Sequence, residues 1–468
     1  MLVVGWKNIR TLPPQTKNAI AMMKKLTSFL VAALLLLLGA CSNDVLDLGT
    51  DTTTNNANAP RGFVSMDQAK ARLANIVNQL NSQTSDASQR FPAVTLSRLT
   101  GVALGADMKP LTRTDDQTQA GCYLLRMDND MFAIMSATTS RPELLAIGNG
   151  YPNFEDSTAL VPNPYYWKPN VTVGDTASVD PNRCDTMFEE PLYVDYRVVQ
   201  RDLVPVKWGN KVPFNDKLRL VKSKWTGDSV HAAVGCVGVA VGQLMTAKKL
   251  RGANYRGYYY DWDMLSGYRD AYDFMDDPDA REEVSSLFRD IVNEENIAPC
   301  DTCWGGDVTW ASPYRVTRTL ENFNFKTPGR GFWPYDFDIV ASEVEAGYPV
   351  LFFALETETQ GHLWVAHGIL EATVTMGVFQ FNKNGVEAPN LVSTYTCPVW
   401  YFQMNWGWDG KADGFYMVKY DSRLDNKKGA DLPEDSVDTG GGYNIYRPNT
   451  LQMDFGFRYR YNNQAEIK

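Results

Sequence analysis

Apolar positions recur along this chain at two spacings, and each spacing names an element. Ser65-Met66-Asp67-Gln68 reads as a capping box, and Ala69, Leu73, Ile76, Val77 and Leu80 follow at helical intervals. Cys122–Arg126 and Met131–Met135, separated by Asp128-Asn129-Asp130, predict a hairpin, with Leu144–Ile147 a third strand. Later in the chain, helices are predicted over 237–249, 281–292 and 313–322. The last has Ser312 as N-cap and Pro313 in its first turn. Val350–Leu355, Leu363–Leu370, Val378–Phe381 and Phe415–Lys419 read as strands. Both halves are therefore α+β: a small module ending near Gln200 and a larger domain beginning near Leu203. No internal repeat is visible. No strand, glycine-rich turn and helix follow one another in the way a nucleotide site needs.

One apolar run has a different meaning. Residues 23–41 read MKKLTSFLVAALLLLLGAC: two lysines, an apolar stretch too short to span comfortably, then Leu38-Gly39-Ala40-Cys41. This predicts an export signal. Its last four residues resemble the lipobox of bacterial lipoproteins, whose cysteine is acylated, so Cys41 is the expected lipidation site. Met23 is then the natural start, and residues 1–41 are an upstream extension plus signal peptide. Residues 42–61 are polar and read as a flexible tether. The expected location is the cell envelope, as an outer-membrane lipoprotein facing the surface or the periplasm. The lipid anchor is the only expected membrane attachment.

The composition of the 468 residues is ordinary for a globular protein, with 44% apolar and 21% charged residues. Forty-five basic against 55 acidic residues give a net charge of −10, and no basic tract stands out. A nucleic-acid partner is not expected. Cys300 and Cys303 form a C-x-x-C. With no second C-x-x-C and no H-x-x-x-H to complete a zinc site, a local disulfide is the expectation, and no metal or cofactor is.

Only three histidines occur: His231, His362 and His367. Imidazole chemistry must choose among them. Residues 229–245 read SVHAAVGCVGVAVGQLM, which puts Cys236 at the start of a helix. Unpaired backbone N–H groups and the helix dipole favour a thiolate there and offer donors to an oxyanion. Gly361-His362-Leu363-Trp364-Val365-Ala366-His367-Gly368 is a β-like run, so His362 and His367 face opposite sides and only one reaches a given site. His231 and His367 are read as structural. Residues 401–416 add Asn405, Trp406 and Trp408; an asparagine carbonyl accepting a ring N–H would fix a catalytic imidazole.

At this point a family resemblance is plain. HAAVGCVGVAVGQLM, GHLWVAHG, NWGWDGKADGFY and the late TGGG loop resemble, in that order, the motifs of streptopain-like cysteine peptidases of the papain clan. WGNKVPFN at 208–215 resembles the block that precedes the nucleophile. The resemblance covers about residues 203–460. It implies a papain-like α+β fold over 201–468, with a helical part carrying the nucleophile against an antiparallel sheet. It also implies an inhibitory α+β prodomain over 62–200. Cys236 would be the nucleophile, His362 the base and then acid, and Asn405 the orienting residue. Trp406 would shield the His–Asn bond, Trp408 would line the cleft, and 436–446 would be the mobile loop beside it. The implied reaction is endopeptidase cleavage of protein or peptide substrates through an acyl-enzyme thioester. An apolar side chain two residues before that bond is preferred.

Three departures from the family pattern qualify these expectations. Asn210 stands where the family has the glutamine that donates to the oxyanion, and is one methylene shorter. The stretch Thr373–Trp400 is longer than usual and reads as an enlarged hairpin that caps the cleft or binds a partner. Gly238 and Gly242 lie on the nucleophile helix where bulkier residues are usual, so a neighbouring element is expected to approach closely. Asn210 also favours the alternative reading, a weakly active or inactive surface lipoprotein that holds peptide. Acyl transfer to an amine would use the same residues as hydrolysis.

Overall fold

The capping box forms as written. Ser65 Oγ accepts from the Gln68 N–H and Gln68 Oε1 accepts from the Ser65 N–H, opening helix α1 (Met66–Ser82), which buries all five periodic residues. The structure is a computed structural model. It describes residues 63–105, 110–111, 117–139, 142–150, 187–223, 226–306, 308–355, 361–380, 390–420 and 451–459. All lie in one unit, Asp47–Lys468. The signal peptide with Cys41, the 42–61 tether, Cys184, Phe381 and the 436–446 loop fall outside the described residues.

After α1 come β1 (Thr100–Leu104), β2 (Cys122–Arg126), β3 (Met131–Ser136), β4 (Leu144–Asn149) and β5 (Met187–Gln200). Two short strands, β6 (Leu220–Lys222) and β7 (Ser229–His231), precede α2 (Cys236–Met245). Then follow β8 (Asn254–Tyr255), β9 (Tyr258–Tyr259), α3 (Trp262–Gly267), α4 (Ala271–Met275), α5 (Pro278–Ile291) and α6 (Val316–Asn322). The chain continues through β10 (Phe325–Pro328), β11 (Trp333–Pro334), α7 (Phe337–Glu345), β12 (Val350–Leu355), β13 (Gly361–Gln380), β14 (Asn390–Asn405) and β15 (Gly414–Tyr420). It closes with β16 (Gln452–Asp454) and β17 (Phe457–Tyr459).

One antiparallel sheet organises all of this. Its order is β1-β2-β3-β4-β15-β14-β13-β12-β16-β11, with β5 also paired to β13. The N-terminal strands thus continue the sheet of the larger domain, joined at β4–β15 through Gly148↔Gly414. The close pairing needs both glycines. A Cβ on Gly414 would lie 2.4 Å from the Gly148 Cα, and one on Gly148 would lie 2.6 Å from the Asp413 carbonyl.

Strand β13 lines three cores, and a bulge changes which of its positions face each. Up to Ala366 its odd positions, Leu363 and Val365, pack with Val237 and Leu244 of α2, while Trp364 and Ala366 face Trp406 and Phe402. The register then shifts between Ala366 and Gly368. Beyond it the parity is reversed: Leu370, Ala372, Val374 and Met376 join α1 in a second core, and Ile369 takes the other face. Within Thr373–Trp400, residues 373–380 and 390–400 pair as the outer parts of β13 and β14, in line with the hairpin the sequence suggested. β5 pairs along it from Ile369 to Gln380, and Gln79 of α1 and its C-cap Gln83 bond to the β5 backbone.

Sequence reading missed β5, α3, α4 and α7. β5 buries little beyond Tyr196 and carries Pro191, so no apolar alternation marks it; it is an edge strand held by backbone pairing. α7 is fixed by its Asp336 cap and buries only Val340 and Val344, too short a stripe to register as a period.

Candidate active site

Gly235 determines how Cys236 is presented. Its φ is 86°, and a Cβ there would sit 2.5 Å from the Thr309 carbonyl oxygen, so only glycine makes this turn. The chain then enters α2, of which every residue after Cys236 is buried. The glycines on that helix do what their size suggested. A Cβ on Gly242 would meet the Phe288 ring at 2.8 Å, and one on Gly238 would meet Val292 at 2.9 Å. α5 therefore packs directly against the helix that begins at Cys236.

Three backbone N–H groups near the half-buried Cys236 sulfur favour its thiolate form: its own, that of Val237 and that of Leu363. The first two belong to the helix N-terminus. The third belongs to β13, one residue past His362, so the helix start and the histidine strand converge on one sulfur. His362 is buried, and its Nε2 lies 3.0 Å from the Trp406 carbonyl oxygen. A carbonyl only accepts, so Nε2 carries the proton and Nδ1 is the basic nitrogen of the neutral ring. The imidazole sits 4.8 Å from the ring of Trp408, with Trp364 and Trp406 at 6.0 and 6.1 Å. Trp406, expected to shield a His–Asn bond, and Trp408, expected to line the cleft, both lie against this ring.

Asn405 requires a correction. It does not hold the His362 ring. It donates to the Val206 carbonyl at 2.8 Å and accepts from the Gly407 N–H at 3.1 Å. Register explains why: Asn405 pairs with Val365 and shares its sheet face, whereas His362 lies with Trp364 on the other. The ring's partner is the next residue's carbonyl.

Asn210 lies beside the nucleophile turn. Its Oδ1 accepts from the Gly235 N–H at 2.8 Å, and its Nδ2 reaches the Gly407 carbonyl at 3.4 Å. It ties the turn before Cys236 to the turn after Trp406. Trp208 is fully buried, and its N–H donates to Gln243 of α2.

The electrostatics also differ from expectation. A helix start alone would lower the Cys236 pKa; burial raises it, with the three amides pulling the other way. Burial also lowers His362 to about 4, against a smaller opposing effect of the Trp406 carbonyl. At neutral pH Cys236 is held as a thiol and His362 as a neutral imidazole.

The other histidines occupy structural positions. His367 is buried and its Nδ1 accepts from the Val204 N–H at 3.4 Å. His231 Nδ1 lies 2.7 Å from the Leu218 carbonyl. Cys300 and Cys303 form the local disulfide. Among the described residues no group of His, Cys, Asp and Glu could hold a metal ion, and no helix is long and apolar enough to cross a membrane. Two contributors, the Leu363 N–H and the Trp406 carbonyl, are backbone groups that no residue letter announces. Asp413, inside the NWGWDGKADGFY block, also went unremarked, because it touches no reacting atom.

Residues 208–416, which contain Cys236, His362 and the 405–408 turn, match the family model described as the Peptidase C10 family. Over this segment the chain is similar to the Peptidase C10 family. Its helix-against-antiparallel-sheet arrangement is the α+β architecture the motifs implied. A solved fragment of prointerpain A from Prevotella intermedia is 17% identical, covers 72% of this chain and 96% of its own, and has a TM-score of 0.38. At that score the likeness carries no weight for fold or chemistry. A comparison with curated proteins finds no match.

Proposed function

We propose that this chain is a cysteine endopeptidase of the C10 type, made as a precursor, exported and held at the cell envelope through a lipid on Cys41. Residues 62–200 act as its inhibitory prodomain. The observation that carries the reading is the meeting of the Cys236 sulfur with the backbone beside His362, whose outer nitrogen is engaged by Trp406.

His362 Nδ1 takes the thiol proton and the sulfur attacks the scissile carbonyl carbon. The oxyanion is held by the Cys236 N–H and, on this reading, by the second N–H of the Asn210 amide. The imidazolium gives its proton to the departing amine, leaving a thioester. Water, deprotonated by the same nitrogen, then releases the acid and restores the thiol. The Trp406 carbonyl keeps the ring's other N–H engaged throughout, which stabilises the imidazolium between the two proton transfers.

The test uses purified precursor and Cys236→Ala. Wild type should shorten itself to a stable fragment and react with an epoxysuccinyl thiol-protease probe, and the variant should do neither. Wild type that stays full-length and remains unlabelled after trimming by another protease would support the second reading, a peptide-holding surface lipoprotein. Asn210 is what favours that reading, since its amide already bridges Gly235 and Gly407. If Asn210 donates to the oxyanion, Asn210→Ala lowers turnover by about 10²–10³-fold.

A further inference from the structure

We propose that the buried carboxyl of Asp413 is a positioning residue for His362, acting through the main chain of Trp406. The proposal rests on the peptidase reading of the site. Trp406 begins a turn, 406–413, that joins β14 to β15. Four of its residues have left-handed backbone: Gly407 (φ 73°), Asp409 (φ 54°), Gly410 (φ 79°) and Ala412 (φ 63°). Asp409 and Ala412 are not glycines, and such conformations persist only where the surroundings enforce them.

The bracing converges on the two peptide planes that flank Trp406. The Trp406 N–H donates to Asp413 Oδ1 at 2.8 Å, across the base of the turn. The next plane carries the carbonyl that accepts from His362, and its N–H, on Gly407, donates to Asn405 Oδ1 at 3.1 Å. With both N–H groups held, the direction of the Trp406 carbonyl is fixed, and with it the rotation and tautomer of the imidazole. Asn405 thus serves the histidine indirectly.

Asp413 is 5% exposed, and burial raises its pKa to about 7. The Trp406 N–H and Lys207 pull that value down, while Asp409 and Asp202 push it up. Either protonation state leaves Oδ1 an acceptor for Trp406, so the brace needs the oxygen and not the charge. A buried carboxyl is costly to maintain where an apolar residue would pack. Its oxygen on Trp406 gives this one a use.

The experiment compares the full-length chain with Asp413→Asn, which keeps an acceptor oxygen, and Asp413→Ala, which does not. Histidine ring labels report tautomer and titration by NMR, His362 being assigned with His362→Asn. In wild type and Asp413→Asn, His362 should keep its Nε2–H tautomer and titrate near the depressed value. In Asp413→Ala it should show mixed tautomers and titrate nearer an ordinary histidine, about 6.5, while His231 and His367 stay unchanged as folding controls. After activation, Asp413→Ala should lose about 10-fold or more in kcat per titrated site with KM little changed, and Asp413→Asn only a few-fold. A wild-type His362 signature in Asp413→Ala, or an equal loss in both variants, would overturn the proposal. Should wild type show the signature yet cleave nothing, the peptidase reading fails and the positioning role is supported by the ring signals alone.

Discussion

At the scale of the residue, the site is built from two side chains that have letters and two backbone groups that do not. Cys236 and His362 were legible because glycine, cysteine and a helical stripe stand together, and because only three histidines compete for the role. The Leu363 N–H on sulfur and the Trp406 carbonyl on imidazole were not legible, since any residue supplies them and only strand register aims them. The protonation state was unreadable for a similar reason: a helix start shows in sequence, but the depth of burial that outweighs it does not. That state makes a prediction. With the thiol raised and His362 lowered to about 4, a falling pH from 8 to 5 finds no imidazolium to sustain the thiolate. Iodoacetamide should therefore label Cys236 of the intact precursor slowly through that range. Labelling should accelerate only as pH rises past the ordinary thiol value, about 8.5. A fast plateau near pH 6 would show an ion pair already present in the precursor.

At the scale of the element, the strongest expectations came from helices whose apolar stripe is complete. α1 and α5 were predicted from their period, and Gly238 and Gly242 correctly announced a close neighbour for α2. The long strands were read only in fragments: Leu363–Leu370 and Val378–Phe381 cover parts of β13, and the stretch between them was assigned to the hairpin extension without a strand of its own. β5 left no trace, as its stability lies in pairing with β13. The contact between α2 and α5 is open to test through Gly242. Its Cβ position is already 2.8 Å from the Phe288 ring, so Gly242→Val must push α5 away. It should destabilise by about 1–3 kcal/mol in urea unfolding, and Phe288→Leu in the same chain should recover part of the loss. Additive effects would mean that the two positions do not share the strain.

At the scale of the whole molecule, the N-terminal module is part of the sheet. β4 pairs with β15 beside the turn that carries Trp406. The Asn149 N–H donates to the Asp413 carbonyl at 2.8 Å, and the Ala412 N–H donates back to the Asn149 carbonyl at 2.8 Å. The second core sets α1 residues Leu73, Ile76 and Val77 against Leu370, Val374 and Tyr401 of the β13–β14 hairpin. The Thr373–Trp400 extension thus has an occupant in this chain, the N-terminal module itself. If so, cutting one peptide bond between Gly150 and Met187 should not separate the pieces, because every contact just named survives the cut. A tobacco etch virus protease site placed there in Cys236→Ala should yield two fragments that co-elute on native size exclusion and part only in denaturant. Gly148→Val, which removes the close approach at the β4–β15 join, should loosen that complex in dilution experiments. Fragments that elute separately without denaturant would mean that the shared sheet and core do not suffice to hold the module after the first cut.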